Sequence, residues 1–588
     1  METSKKIAKY LEEGNTKKLA KYIVNGVFTV PSDAKKIGAE AFKDLSTLKK
    51  IFIPDTIDRI EYSAFYNCVN LSEVVLPNNI EEIEDELFFG CVSLNKIIIP
   101  DSVNYIGNYA FSGCKSLNNI KLSKKTNAIY DFAFSECERI ETIDLPDNLE
   151  RIDSFAFNGC HNLTSISLPK NLKYLEDGIF NDCHKITSIT IPDGITILKN
   201  FLFSDCYSLK DVYIPESVKE IKDCAFARCY NLGAINLPSN LELISSFAFC
   251  DCKNLSSIEI KDKCLSIDES SFKGCNNLIT IKVDPNNPCY ESENDNSLVY
   301  KKIKELLVLG RNGVIPSDIE ILGDKLFTDN DVIKEVYIPK KVRVILSDAF
   351  VNMPNLEKIV VSDENTKFDS RNNCNSIIET RENKLLFGSN SSFIPNGIKS
   401  IWTKAFSKRI HLKKIDLPVS LDLIDYKAFD GCTGLKEIFI PKNVTYIDEN
   451  VFSGCDNLEK ITVDKENLYF YSDTSNAIIN KKTKTLLTGC INTIIPSDIL
   501  VIEEEAFSFV PLKSIKIPKG VKEIKASCFM NSSLQNVYIP SSVTRMGSYV
   551  FDGCKNLTIY LEHKTIPIGF ETYWNSENNK VVLGHKIP

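Results

Sequence analysis

The hydrophobic positions of this chain recur with one fixed period. Phe42, Phe65, Phe88, Phe111, Phe134, Phe157, Phe180, Phe203, Phe226, Phe249 and Phe272 follow one another in steps of 23 residues. The register resumes at Phe327, Phe350, Phe406, Phe429, Phe452, Phe507, Phe529 and Phe551, giving 19 recognisable units. Within one unit, residues 60 to 83, the apolar slots are Ile60, Ala64, Phe65, Cys68, Leu71, Val74, Leu76, Ile80 and Ile83. Leu71, Val74 and Leu76 read L-x-x-V-x-L, and the alternation at its end predicts a short strand. Pro77 closes that strand, because proline has no N–H to give to a ladder. Ala64 and Phe65, adjacent apolar residues between polar ones, predict a short helix or turn. One unit is too small to bury these groups alone, whereas stacked neighbours bury them together. The pattern therefore predicts a solenoid with one continuous core and its strands in a parallel sheet.

The whole unit carries Ala or Gly before the phenylalanine, Cys three residues after it, Leu three further on, then the strand, Pro and a closing Ile. Residues 152 to 175, IDSFAFNGCHNLTSISLPKNLKYL, are a clear specimen. The pattern resembles the BspA-like leucine-rich repeats of surface proteins from mucosal bacteria and protists, over about residues 27–588. The resemblance implies a leucine-rich-repeat solenoid that binds proteins, among them host extracellular-matrix or cell-surface proteins, and so adhesion. One departure concerns the familiar leucine-rich pattern, whose Asn/Cys slot follows the strand. Here Asn79, Asn148, Asn171 and Asn240 stand near that place, while the cysteine precedes the strand.

Three steps lengthen, to 55, 56 and 55 residues, after Phe272, Phe350 and Phe452. The inserted stretches, about 284–316, 362–395 and 464–496, resemble one another. Asn296-Ser297-Leu298-Val299, Asn375-Ser376-Ile377-Ile378 and Asn476-Ala477-Ile478-Ile479 each lead to a Leu-Leu pair and then to Gly310, Gly388 or Gly489. Two apolar runs around a polar turn predict a β-hairpin in each. Pro316, Pro395 and Pro496 then restore the phase. The expected organisation is an N-terminal cap at 1–26, continuous repeats at 27–283 and repeats with hairpin insertions at 284–506. Terminal repeats at 507–561 and a C-terminal cap at 562–588 complete it.

At the start, KKIAKYLEEG and KKLAKYIVNG are near-copies, each ending in glycine. They predict a helical hairpin with Ser4 and Thr16 as N-caps, Gly14 and Gly26 past the helix ends, and Ile7, Leu11, Leu19 and Ile23 on the first turn. A lysine-rich amphipathic helix also suits an anionic membrane surface. The C-terminal stretch breaks the repeat but keeps Trp574, expected over the last turn.

Composition adds limits. With 43% hydrophobic residues the chain has ample material for a core. Net charge of -8, from 70 basic and 78 acidic residues, argues against a dedicated nucleic-acid binder. No apolar run is long enough for a membrane span, and residues 1–30 show no secretory apolar core. A monomer is expected. Localisation stays open between the cell surface, which the resemblance suggests, and the cytoplasm or non-classical export.

Of 20 cysteines, 13 lie three residues after a repeat phenylalanine. A uniform column gives no thiol a preferred partner, so inert buried residues are expected, with disulfides as the alternative. Cys160-His161 and Cys183-His184 supply a two-Cys, two-His zinc set. Neighbouring residues in a repeat point opposite ways, however, so no metal is expected there. Asn70, Asn162, Asn254 and Asn556 head N-x-Ser/Thr triplets only because the repeat places Asn-Leu at its turn. No H-E-x-x-H, G-x-S-x-G, P-loop or G-x-G-x-x-G motif occurs. No catalytic residue, metal or cofactor is expected, although an unrecognised site in the insertions is an alternative.

Function is instead expected on the outward slot of each strand, about ten residues after the phenylalanine. Most units place a polar residue there. Phe52, Val75 and Ile98 form a consecutive apolar run, and Tyr213, Tyr337, Val360, Phe439 and Tyr538 occur further along. Exposed aromatic and apolar residues in this arrangement suit protein recognition. The alternative places the first three under the N-terminal cap.

Overall fold

The computed structural model describes residues 2–311 and 314–586. The chain forms two compact units, Met1–Lys302 and Ile303–Pro588, and the division falls inside the first insertion.

In the first unit the turns of the solenoid place parallel strands on two sides, each side broken into several short sheets. One contains Val27–Thr29, Lys50–Phe52, Glu73–Val75, Lys96–Ile98 and Asn119–Lys121, hydrogen-bonded in that order. The register is in phase with the repeat: Lys50 faces Glu73, Ile51 faces Val74 and Phe52 faces Val75. Alternation decides the faces, so Ile51, Val74 and Ile97 are buried while their neighbours point out. The second sheet was not legible as strands in the sequence. It is broken into runs of two-residue pieces: Lys36–Ile37 pairs with Arg59–Ile60, while Glu82–Ile83 and Tyr105–Ile106 belong to a separate five-stranded run, and Ile60, Ile83 and Ile106 reach the core.

The stretch around Ala64 and Phe65 is a turn, with no helix. Ser63 and Asn67 bracket it at φ +53° and +54°, and a left-handed residue every few positions stops a right-handed helix from propagating. The backbone is satisfied between turns instead. Ser63, Phe65 and Asn67 donate their amides to the carbonyls of Asp85, Leu87 and Phe89 in the next turn. Tyr66 and Cys68 donate back to Ser63 and Phe65 within their own turn. This third side carries the phenylalanine column: Phe65 to Phe88 is 5.3 Å between ring centroids at 3°, and Phe249 to Phe272 is 5.4 Å at 1°. All eleven rings from Phe42 to Phe272 are buried.

Two helices cover the first turn, Glu2–Glu12 (α1) and Thr16–Leu19 (α2), followed by a 3-10 turn at Ala20–Tyr22. Leu11 and Leu19 are fully buried, and Ile7 and Ile23 half-buried. The expected caps differ. Ser4 lies inside α1 and donates its hydroxyl to Asp33 Oδ2 at 2.6 Å. Asn15, which accepts from the Lys18 amide, caps α2 one residue before Thr16, because its carbonyl oxygen already sits where a capping acceptor must be. Gly14 ends α1 with positive φ, but Gly26 caps no helix: the second helical segment stops at Tyr22, and Gly26, also at positive φ, lies in the turn that pairs Val24 with Val27. At Gly14 a Cβ would stand 2.3 Å from the Ala39 carbonyl oxygen, so that position requires glycine.

The second unit repeats this plan with interruptions. Ser376–Glu379 and Lys384–Gly388 pair antiparallel with a bulge, and Lys384–Gly388 then pairs parallel with Ser400–Ile401 of the next turn. Ala477–Asn480, Thr485–Gly489 and Val501–Ile502 do the same after the third step. Gly388 and Gly489 take the place a repeat phenylalanine would hold, each donating its amide to the alanine before the next one, Ala405 and Ala506, at 2.9 Å. The rings of Phe406 and Phe507 fill the space left by the missing side chains, 2.0 and 2.1 Å from where a Cβ would be. At the end of this unit Trp574 is buried and meets Phe551 edge-on at 6.3 Å.

Candidate protein-binding surface

Phe52, Val75 and Ile98 lie side by side on the outer face of the longer sheet. Phe52 faces Val75 directly, and the pairing of Glu73 with Lys96 sets Val75 beside Ile98. They are 42, 50 and 58% exposed, so the cap does not cover them. It packs elsewhere: the Gly38 amide donates to Leu11 of α1. Thr29 and Lys121 bound the row at its two ends, through the pairs Thr29–Phe52 and Ile98–Lys121. The next outward slot of the same strands is charged, with Lys50 Nζ 2.6 Å from Glu73 Oε2 and Lys96 beyond. Val75, Ile98 and Lys96 line a groove of about 690 Å³.

The other outward residues are dispersed. Tyr213 faces Thr190 on the same kind of sheet in the first unit and is 58% exposed. In the second unit Tyr337, half exposed, faces Val360, which is half-buried. Phe439 faces Thr462 and borders a groove of about 1270 Å³ whose walls include Tyr471, Lys484 and Asp498. Tyr538 is partly covered, a correction to its expected exposure. It stacks on Tyr560 at 4.9 Å, and His585 of the C-terminal segment lies 5.5 Å from its ring.

The turn side carries a second aromatic feature that the reading of strand slots missed. Tyr66 stacks on Phe89 at 4.7 Å, Phe89 meets Tyr109 at 6.4 Å, and Tyr109, Phe132 and Phe155 stack at 4.8 and 5.1 Å. The last three occupy the left-handed position two residues before the repeat phenylalanine. Gly178 ends the ribbon, because a Cβ there would lie 2.3 Å from the Phe155 ring. The signal was present as Phe132-Ala133-Phe134 and Phe155-Ala156-Phe157, in which the first aromatic of each pair points out and the second in.

The cysteine slot has a specific structural use. Cys68 Sγ donates to the Phe42 carbonyl at 2.9 Å, Cys91 to Phe65 at 3.1 Å and Cys114 to Phe88 at 3.2 Å. Each thiol thus bonds the turn before it, which a purely apolar side chain could not do. Burial pushes the Cys68 thiol up to about 12 and raises its neighbours further, which keeps them protonated and unreactive. All twenty cysteines are free. The asparagine slots work in the same direction: Asn148, Asn171 and Asn240 donate their side-chain amides to Lys124, Asp147 and Glu216 carbonyls of the preceding turn. Asn70 and Asn162 do likewise to Ser46 and Glu138, so their N-x-Ser/Thr context reflects the ladder.

Turns of 23 residues, strands in parallel register, a leucine-bearing core and inter-turn ladders of Phe, Cys and Asn define a leucine-rich-repeat solenoid. A model of the BspA type leucine rich repeat region matches in six copies, at residues 25–102, 81–210, 196–307, 311–379, 388–488 and 484–587. The chain belongs to the BspA-type leucine-rich repeat family. Similar solved structures include a leucine-rich repeat protein from Bacteroides ovatus, 19% identical, covering 91% of each chain at a TM-score of 0.30. A Treponema pallidum leucine-rich repeat protein is 27% identical over 36% of this chain and 89% of its own, with a TM-score of 0.27. A leucine-rich cell surface protein from Faecalibacterium prausnitzii is 18% identical over 92% of this chain and 88% of its own, at 0.26. No curated protein matches this chain. Among the described residues no helix is long and apolar enough to cross a membrane.

Proposed function

We propose that this protein is a non-enzymatic binding solenoid that docks another protein on the outer face of its longer N-terminal sheet. The supporting observation is the contiguous row Phe52, Val75 and Ile98, each about half exposed and flanked by a charged row. Apolar centres with polar rims are the anatomy of protein interfaces. Family resemblance favours adhesion, to a matrix protein or another cell surface. The alternative is an intracellular scaffold, which the twenty free thiols favour, since reducing compartments preserve them.

The test is recovery of bound protein from solubilised extracellular matrix and from cell lysate, comparing wild type with Phe52→Ser/Ile98→Ser. Loss of a partner by more than about tenfold is expected, as for removal of a central apolar anchor. Unchanged recovery from both sources would remove this face from consideration. The source that yields the partner separates adhesion from scaffolding.

A further inference from the structure

His161 and His184 occupy the same slot in successive turns, one residue after the cysteine. Their rings stack at 4.5 Å between centroids and 15°. Asp182, held at φ +62° two residues after Phe180, places its carboxylate against both: Oδ2 lies 2.9 Å from His161 Nε2 and Oδ1 2.5 Å from His184 Nε2. One ligand atom from each of the three lies within 4.8 Å of the others. The side chains are 34, 35 and 36% exposed, open to an ion from solvent yet supported on one side.

The four-residue set suggested by spacing divides at this point. Cys160 and Cys183 point inward and donate their thiols to the Phe134 and Phe157 carbonyls, at 3.3 and 3.2 Å. Burial holds both thiols in the protonated form. The two histidines point outward together, and the third donor comes from the turn side. One turn before Asp182 its slot holds Gly159; one turn after, Asp205 is engaged by Arg228 through Nε at 2.5 Å. Asp182 therefore differs from its repeat neighbour in being bonded by two imidazoles where Asp205 has a guanidinium. Two imidazoles and a carboxylate are the donor set of borderline divalent ions, whose geometry water then completes.

We propose that His161, Asp182 and His184 bind one divalent transition-metal ion of the zinc type on the surface of the first unit. Binding at Nε2 places each imidazole proton on Nδ1, and Asp182 supplies the negative charge. The remaining coordination positions face solvent and stay available to water or to a donor from a docked protein.

Calorimetric titration of untagged full-length protein with Zn2+ tests the site. One equivalent is expected, with Asp182→Asn and His161→Gln/His184→Gln each weakening uptake by more than about tenfold. Co2+ in place of Zn2+ gives a reading on the unmutated protein. Visible d–d bands without a thiolate-to-cobalt charge-transfer band are expected. Absence of uptake, equal uptake by the double variant, or a thiolate band would each overturn the proposal and leave an imidazole–carboxylate ladder alone.

Discussion

The first unit runs through eleven phenylalanine turns without interruption, whereas the second is broken by inserted hairpins, and the cysteine slot, which Cys432, Cys455 and Cys554 fill there in the same way, shows how one of these breaks is bridged. In the first unit each column thiol spans one turn to a phenylalanine carbonyl, with sulfur–oxygen distances of 2.9 Å at Cys68 to 3.3 Å at Cys160. In the second, the turn that follows the middle insertion has Arg409 in that slot. Arg409 is fully buried, and its guanidinium donates to Gly388, Ser407, Met353 and Phe350 carbonyls at 2.7, 2.9, 3.2 and 2.8 Å. The bond to Gly388 replaces the thiol bond; those to Met353 and Phe350 reach across the insertion. Regular spacing needs only a weak, short donor. Across the middle insertion a long donor with several N–H groups does that work, whereas Asn330 and Val510 hold the slot after the other two.

The largest effect should follow from removing that donor. Burial draws the Arg409 guanidinium down to about 10, so it remains a cation at neutral pH, compensated by carbonyl dipoles. Arg409→Met keeps roughly the volume but removes four hydrogen bonds to buried carbonyls, and is expected to cost about 3–5 kcal/mol in urea unfolding. Arg409→Cys restores the repeat residue and should recover only the Gly388 bond. If it were as stable as wild type, the bonds across the insertion would have no structural weight.

Next come the glycines that stand where a repeat phenylalanine would be. Gly388→Ala drives a methyl into the buried Phe406 ring, and Gly489→Ala does the same at Phe507. Overpacking of this kind should cost about 1–3 kcal/mol each. Gly194→Ala is the contrasting substitution. It has open space around it, and its positive φ is the sole source of strain. Gly388 and Gly489 have no positive φ, so losses there no larger than at Gly194 would show that the two rings give way to the added methyl.

Sequence patterning made the repeat legible because its fixed slots are buried side chains in one phase. The strand at Leu71, Val74 and Leu76 and the column of Phe and Cys needed nothing beyond periodicity. The second sheet did not show, because a two-residue strand such as Glu82–Ile83 is too short to display alternation. The paired left-handed residues did not show either: Phe132 and Glu136 have positive φ, set by inter-turn bonding and not by their own preferences. Arg409 was not singled out by the pattern, since its acceptors lie up to 59 residues away. On the candidate surface, Phe52, Val75 and Ile98 followed from alternation on consecutive strands. The cover over Tyr538 did not, because it comes from docking of a segment outside the repeat.

The repeated residues are internal fixtures, and recognition is left to the outward slots. Thiol titration of unreduced protein addresses this most directly. Seventeen cysteines are buried, and Cys224, Cys250 and Cys289 are half-buried. The folded protein should show at most those three as readily reactive, and unfolding without reductant should release all twenty. Fewer than twenty after unfolding would mean that column residues pair as disulfides. Rapid reaction of the column in the folded state would mean that the slot is open to chemistry. Either result would contradict the account.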